Sequence, residues 1–500
     1  MPASIATHRS RNKPIELVFK PQHDSVLRMS SSPITVPVPS DALVQRAVRL
    51  TYAQMMLNAV FGASTGGMFL IGFALQLGAD NLLLGWLSSI PPLFVVVQFV
   101  CAYLIERGWS RKRLTVWFSF ITPLCWCGIA ALPVLADRLS AVQRIGLLVS
   151  VIALVTVAGQ FVGNARGSWV GDLIPEQRRG RFFGNCTLFA GIIGALFAVG
   201  EGRFLDFIQS HGLYAFTALF FFGALFGLGA AVLNLPQPDC PLPQRTHRPH
   251  FFSVLREGLR NRPLCILAVA HAILAMSAIA GPFYSAYCLR DLGMSYFGLG
   301  CLNAVSTATM LLVSPFAGRW VDRFGARPFV ILGLLILAPT GLVWMFIPPG
   351  RADLAYRFMP MANSVAGIGS GLIGVAFTAL LYKLTRSETR AVHFAAYGVV
   401  VTLAGAPMPL LGGWMISHLQ TAGFAVDLRL VFYLWVGFVL LSALVAKFIT
   451  EPGSSSTRRL VFSSFPAWIG SLPAWFLTRP QQVITGGKII PKTGDGSPDT

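Results

Sequence analysis

Long apolar runs broken by short charged connections set the rhythm of this chain. Twelve runs can be marked, at approximately 51–77, 82–105, 114–135, 145–165, 183–205, 213–235, 264–288, 296–317, 328–347, 355–381, 393–417 and 430–449. A helix needs about 20 mostly apolar residues to cross a bilayer. Barrel strands would alternate apolar and polar over about ten. These runs are long and continuous, so they predict helices. The Gly and Pro inside several of them are tolerated better in membrane helices than in soluble ones.

Composition sharpens the picture. The 500 residues are 54% hydrophobic and 12% charged, with 38 Phe. The mean hydropathy of +0.64 lies far outside the soluble globular range. The pattern predicts an all-α polytopic membrane protein. If residue 1 is cytoplasmic, 32 of the 39 Lys and Arg lie on the cytoplasmic face, with 13 of the 20 Asp and Glu. The other face is neutral, so the whole formal charge of +19 sits on one side. The positive-inside tendency then places both termini in the cytoplasm. In a soluble protein the pI near 10.2 would suggest nucleic acid. Here topology and attraction to anionic headgroups account for it, so lipids are expected partners and nucleic acid is not.

Cysteine chemistry adds nothing. Seven of the eight Cys lie in or beside apolar runs, only Cys240 falls in a loop, and no paired spacing with His suggests a disulfide framework or zinc. The polar start, "MPASIATHRSRNKP", reads as a tail rather than a cleaved signal.

One charged loop occurs twice. "GRWVDRFGARP" (Gly318 to Pro328) follows the eighth run, and "AYLIERGWSRKR" (Ala102 to Arg113) follows the second. At an offset of 216, Glu106 falls on Asp322, Arg107 on Arg323 and Arg111 on Arg327. "PEQRRGRFFG" (Pro175 to Gly184) and "RSETRAVHFAA" (Arg386 to Ala396) align at 211, with Arg179 on Arg390. Two signatures at nearly one offset mean that six helices occur twice.

These features resemble a major facilitator superfamily transporter of bacterial type, with no subfamily assigned. That family carries a G-x-x-x-D-R-x-G-R-[KR] loop between helices 2 and 3, repeated weakly between helices 8 and 9. Here the second copy is the better one, matching at Gly318, Asp322, Arg323, Gly325 and Arg327. The first keeps Glu106, Arg107 and Arg111 but has Ala102 and Trp109 in place of glycines. "GDLIPEQRRGR" resembles the family's loop between helices 4 and 5, with Asp172 and Arg179 matching. The resemblance covers about residues 46 to 450. It implies twelve transmembrane helices as two six-helix bundles that rock to alternate access. It also implies a cytoplasmic gate in which Glu106 or Asp322 caps a helix of the opposite half and Asp172 receives Arg107 or Arg111. A carboxylate suits a helix N-terminus, and Arg can grip a carboxylate bidentately.

The expected organisation is a polar cytoplasmic tail (1–45), a first bundle (46–235), a linker (236–263), a second bundle (264–450) and a cytoplasmic tail (451–500). The linker contains the Pro-rich "LPQPDCPLPQRTHRPH" and then "FFSVLREGLRNRP", whose spacing suggests a short surface helix. The last segment contains Trp468 and Trp475, suited to the membrane interface.

In the family, helices 1, 4, 7 and 10 line the passage, so polar stripes there are the substrate candidates. They are Gln54, Asn58 and Thr65; Thr156, Gln160 and Asn164; His271; and Asn363 and Ser370. Such residues also serve as interhelical glue, and for these stripes the two roles weigh about equally. Ionisable groups inside the bilayer are functional by default. Arg166 is expected to brace the inner gate. Glu201 is a candidate for protonation, with an interfacial place beside Arg203 the favoured alternative, and His271 is a candidate for protonation, with hydrogen-bonded structure favoured. Helix 1 offers no fixed charge, which favours a neutral or amphipathic solute. The helix 5 stretch "GIIGALFAVGEG" lacks the proline of the superfamily's antiporter signature.

The reading is therefore a secondary transporter, a permease of the bacterial inner membrane. It acts as a monomer, needs no cofactor beyond a proton or other coupling ion, and contains no cluster of nucleophile, base or metal ligands that would suggest an enzyme. The alternative is a non-transporting accessory protein of the same fold.

Overall fold

The structure is a computed structural model describing residues 41–135, 138–174, 176–239, 261–385, 390–424 and 426–451. Among these residues the regular structure is entirely helical, and twelve helical segments are long and apolar enough to cross a membrane. In chain order they are α1 (Leu43–Gln76), α2 (Asn81–Glu106), α3 (Arg111–Ala130), α4 (Ala141–Leu173), α5 (Arg181–Phe207) and α6 (Leu213–Val232). The second set is α7 (Arg262–Asp291), α8 (Tyr296–Phe324), α9 (Arg327–Phe346), α10 (Ala352–Leu384), α11 (Ala396–Thr421) and α12 (Arg429–Ala446). The proposed surface helix and aromatic tail segment lie outside the described residues.

Several helices run past their apolar stretches. The spacing predicts 145–165 for the fourth, whereas α4 spans Ala141–Leu173. Polar residues at its ends stay helical because backbone bonding does not depend on hydropathy. Ser140 starts α4 with a reciprocal capping box to Gln143. Ser110, Asp80 and Ser295 cap α3, α2 and α8 through the N–H groups of Arg113, Leu83 and Gly298. Breaks have local causes. The α-helical part of α1 stops at Thr65 and restarts at Gly67, whose φ of +51° suits glycine. Pro91 and Pro92 in α2 precede a tightened turn over Phe94–Val96.

Packing repeats with the sequence. Within the first half α3 packs on α4 and α6, α1 packs on α5 and α6, and α2 packs on α4. The second half repeats each pairing as α9 on α10 and α12, α7 on α11 and α12, and α8 on α10. The halves meet through two main seams, α5 with α8 and α2 with α11, and α7 also packs on the end of α1.

The seams bring the halves together at one end only. There a single apolar core draws on both halves, including Phe73, Leu84, Phe216 and Phe220 from the first and Phe283, Leu299, Met359 and Phe432 from the second. At the opposite end the cores separate. Leu267, Phe329, Leu380 and Val439 belong to one in the second half, while Cys101, Leu114, Phe161 and Ala165 form another in the first. The charged loops at 107–110 and 325–326 both lie at this split end, as do the ends of α4 and α10.

Candidate functional site

The polar stripes on α1, α4, α7 and α10 divide once the helices are packed. On α1, Asn58 is exposed beside Gly62, while Gln54 and Thr65 are buried. Thr65 donates back to the Phe61 carbonyl at 2.7 Å. On α4, Thr156 donates to Ile152 O at 2.8 Å, and Gln160 bridges to α2. Its Oε1 accepts from Gln98 Nε2 at 2.6 Å and its Nε2 donates to Pro91 O at 3.1 Å. On α10, Asn363 donates to Met359 O at 3.1 Å and accepts from Tyr284 Oη at 3.4 Å. His271 Nδ1 lies 2.6 Å from Tyr397 Oη, and the imidazole stacks on Phe377 at 4.3 Å. That histidine therefore ties α7 to α10 and α11 within one half. Asn58, Asn164 and Ser370 make no hydrogen bond among the described residues and keep their polar groups available.

Asn363 also borders a cavity of about 520 Å³ among α7, α9, α10 and α12, lined by Tyr284, Trp344, Thr340 and Trp435. Its walls are aromatic and neutral. Sequence spacing places Asn363 correctly on α10 but does not reveal Tyr284 or Trp344 as its neighbours, because they come from other helices.

The split end carries the charged motif residues. Arg111, 3% exposed, donates from Nη1 to Asp172 Oδ2 at 2.7 Å and to Ser168 O at 3.1 Å. Of the two arginines the resemblance offers to Asp172, the structure pairs Arg111; Arg107 instead lies over the Tyr103 ring at 4.7 Å. Glu106 is exposed and engaged. Asp322 is exposed with no ion-pair partner among the described residues, and Arg323 covers the Phe324 ring at 5.2 Å. Gly318 has open space around it, whereas Gly325 ends α8 with a φ of +92°. Arg166 reaches Asn234 Oδ1 at 3.4 Å. The side chains of Arg179 and Arg390 lie outside the described residues.

Arg327 belongs to a network with a member that motif reading misses. The backbone N–H groups of Ala326 and Arg327 donate to the Glu451 carboxylate at 2.8–3.0 Å, and Lys383 Nζ donates to it at 2.9 Å. Arg327 Nη2 also reaches Lys447 O at 2.5 Å. Burial alone would raise the Glu451 carboxyl. Donation from Arg327 N–H, Lys383 and Ala326 N–H outweighs it and holds the carboxyl below its ordinary value. The available sequence signal is Ala326, a residue with no capping side chain where the first half has Ser110.

At the joined end, Asp206 from α5 accepts from the N–H groups of Tyr296 and Phe297, both at 2.9 Å. It thus caps α8 across the seam, where a helix N-terminus favours negative charge. Arg290 at the end of α7 donates to Asn81 Oδ1 at 3.1 Å. In the α2–α11 seam Leu410 N donates to Ser89 Oγ at 3.0 Å, and Gly85 lies against the Pro409 carbonyl so closely that a Cβ would collide. Small residues permit such close backbone approach. Deeper in the first half, Ser64 Oγ lies 2.5 Å from Glu201 Oε1.

This geometry can be set beside known proteins. The Major Facilitator Superfamily profile matches residues 266–485. Multidrug resistance protein 2 of Bacillus subtilis (strain 168) is 29% identical over 176 residues, 35% of this chain and 40% of that protein. Quinolone resistance protein NorA of Staphylococcus aureus is 22% identical over 148 residues, 29% of this chain and 37% of that one. The profile match makes the second half of this chain similar to the major facilitator superfamily. These matches span less than half the length of either relative. Solved structures agree in fold over most of the chain. The nucleoside transporter NupG superposes with a TM-score of 0.59 at 12% identity, covering 81% of this chain and 98% of that one. A bacterial homologue of the human lysosomal transporter Spinster, inward-facing and unoccupied, gives 0.57 at 15% identity over 81% and 95%. The fold shared with these structures thus extends across both halves of this chain, beyond the profile match.

Proposed function

We propose that this chain is a member of the major facilitator superfamily, a secondary transporter that moves a small solute by alternating access. One observation carries the reading: duplicated six-helix halves share a core at one end and keep separate cores at the other. With the basic loops on the cytoplasmic side, this arrangement is an inward-open state, closed outside by Asp206 on α8 and by the α2–α11 seam. The Spinster homologue with a similar fold is itself inward-facing.

The solute is neutral or amphipathic. On α1 and α10 the stretches 50–76 and 358–382 contain no Asp, Glu, Lys, Arg or His. A fully charged solute would need fixed countercharge in the low-dielectric interior. Asn58, Asn164 and Ser370 supply hydrogen-bonding groups instead.

The test locks the seam. Cells lacking the protein are complemented with wild type or with the Ser89→Cys/Leu410→Cys pair, oxidised or reduced. Metabolites in cells and medium are then compared without targeting. Wild type should create a solute difference that the oxidised pair abolishes and reduction restores. Profiles that never differ between wild type and empty vector would overturn the transporter reading and favour a non-transporting role.

A further inference from the structure

Glu201 is 6% exposed in the membrane-spanning part of α5, and its Oε2 is buried with no hydrogen-bond partner. Its other oxygen meets Ser64, whose hydroxyl also lies 2.9 Å from Val60 O. One hydroxyl has one proton, so Ser64 cannot fully satisfy both acceptors. An ionised carboxylate would thus be left short of donors in a place where charge is costly. Glu201 is itself one of the residues lining a groove of about 540 Å³ between α5 and α6, walled by Leu196, Phe197, Phe204, Leu219 and Phe222. Leu196 is 66% exposed and Phe204 44%, so the wall continues onto the hydrocarbon-facing surface.

The groove is separate from the space between the halves. All its lining residues come from α5 and α6. Ser64 lies on the face of α1 packed against Gly223 of α6, whereas Asn58 and Gly62 are the exposed positions nearby.

We propose that this groove is a membrane-side binding site for a single-chain amphipathic amine, its ammonium on Glu201 and its hydrocarbon body among the phenylalanines. A volume of several hundred cubic ångströms suits a small ligand. An apolar wall with one unpaired carboxylate oxygen selects a cation with donor hydrogens. Phospholipid headgroups are disfavoured because their phosphate would lie beside the carboxylate. No Lys or Arg lines the groove to compete for Glu201, and the proposal is independent of whether the central passage transports.

The test measures binding of radiolabelled dodecylamine to the full chain in nanodiscs at pH 7.5, with dodecanol as uncharged competitor. Wild type should bind dodecylamine saturably, and Glu201→Gln should weaken binding at least tenfold. Gly200→Trp, which fills the groove from a position with open space around it, should abolish binding while leaving Glu201 in place. Dodecanol should compete poorly. Unchanged binding in Gly200→Trp, equal affinity in Glu201→Gln, or equal competition by dodecanol would each overturn the proposal.

Discussion

In the first half Ser110 caps α3 from its own side chain, and Asp172 at the end of α4 pairs with Arg111. In the second half Ala326 stands in the Ser110 position and Lys383 in the Asp172 position, at the offsets of 216 and 211 that relate the repeats. The acid there comes instead from Glu451, just beyond α12, which caps α9 and pairs with Lys383. Its counterpart beyond α6 is Gln237, since α6 and α12 end at Val232 and Ala446. Gln237 is 1% exposed, with neither amide atom hydrogen-bonded among the described residues. The comparison teaches that duplication preserved a requirement rather than a residue. Each helix start needs an acceptor and each corner needs a charge pair, but the carboxylate has moved from one helix to another.

The largest effect should come from removing the displaced acid. Glu451→Ala leaves the buried Ala326 N–H, the half-buried Arg327 N–H and a lysine without their acceptor, at a cost of about 3 kcal/mol. Asp172→Ala should cost less, about 1–2 kcal/mol, because Asp172 is 42% exposed and water partly replaces it near Arg111. Thermal unfolding of both purified variants checks the order, and a larger drop for Asp172→Ala would break the comparison.

Next in size is a transplant. In a Glu451→Gln background, Ala326→Ser gives α9 the cap that α3 already has and should recover about 1 kcal/mol. The same substitution in wild type should recover almost nothing, because Glu451 already occupies those N–H groups. Equal gains in both backgrounds would show that the cap and Glu451 act separately.

A third contrast concerns Gln237. Replacing it with Leu removes two buried unpaired polar atoms and should leave stability unchanged or raise it by up to about 1 kcal/mol. A melting temperature that falls by several degrees would mean the amide is satisfied in a way the corner comparison omits.

The smallest effect is pH-dependent. Because the Glu451 carboxyl is held below its ordinary value of 4.5, its contribution is complete above that pH. It is lost as the pH falls through the lower folded value. Wild type should therefore lose more stability between pH 5 and pH 3 than Glu451→Gln does. Parallel curves would remove the carboxylate from the account.

Much of the fold is legible along the chain. Runs of about 20 apolar residues are long-range signals that need no neighbours to be read, and a charged loop repeated at offset 216 reveals the duplication. The sites are less legible. Gln160 reads equally as lining or as glue until Gln98 and Pro91 are in place, and the hydrogen-bonded role expected of a lone His271 has no partner until Tyr397 and Phe377 are. Glu201 reads as an interfacial acid near Arg203, whereas it meets Ser64 from 137 residues away, against the end of the first segment of α1.

The sequence by itself determines the twelve helices, their twofold repetition and the side that gathers the positive charge. These follow from hydropathy, spacing and composition, which are properties of the chain alone. Only the tertiary structure decides that the two halves join at one end, that Glu451 serves α9, and that Glu201 meets an apolar groove. Each depends on which helix faces touch, and a one-residue turn of a helix by about 100° would change the partners without altering the hydropathy pattern.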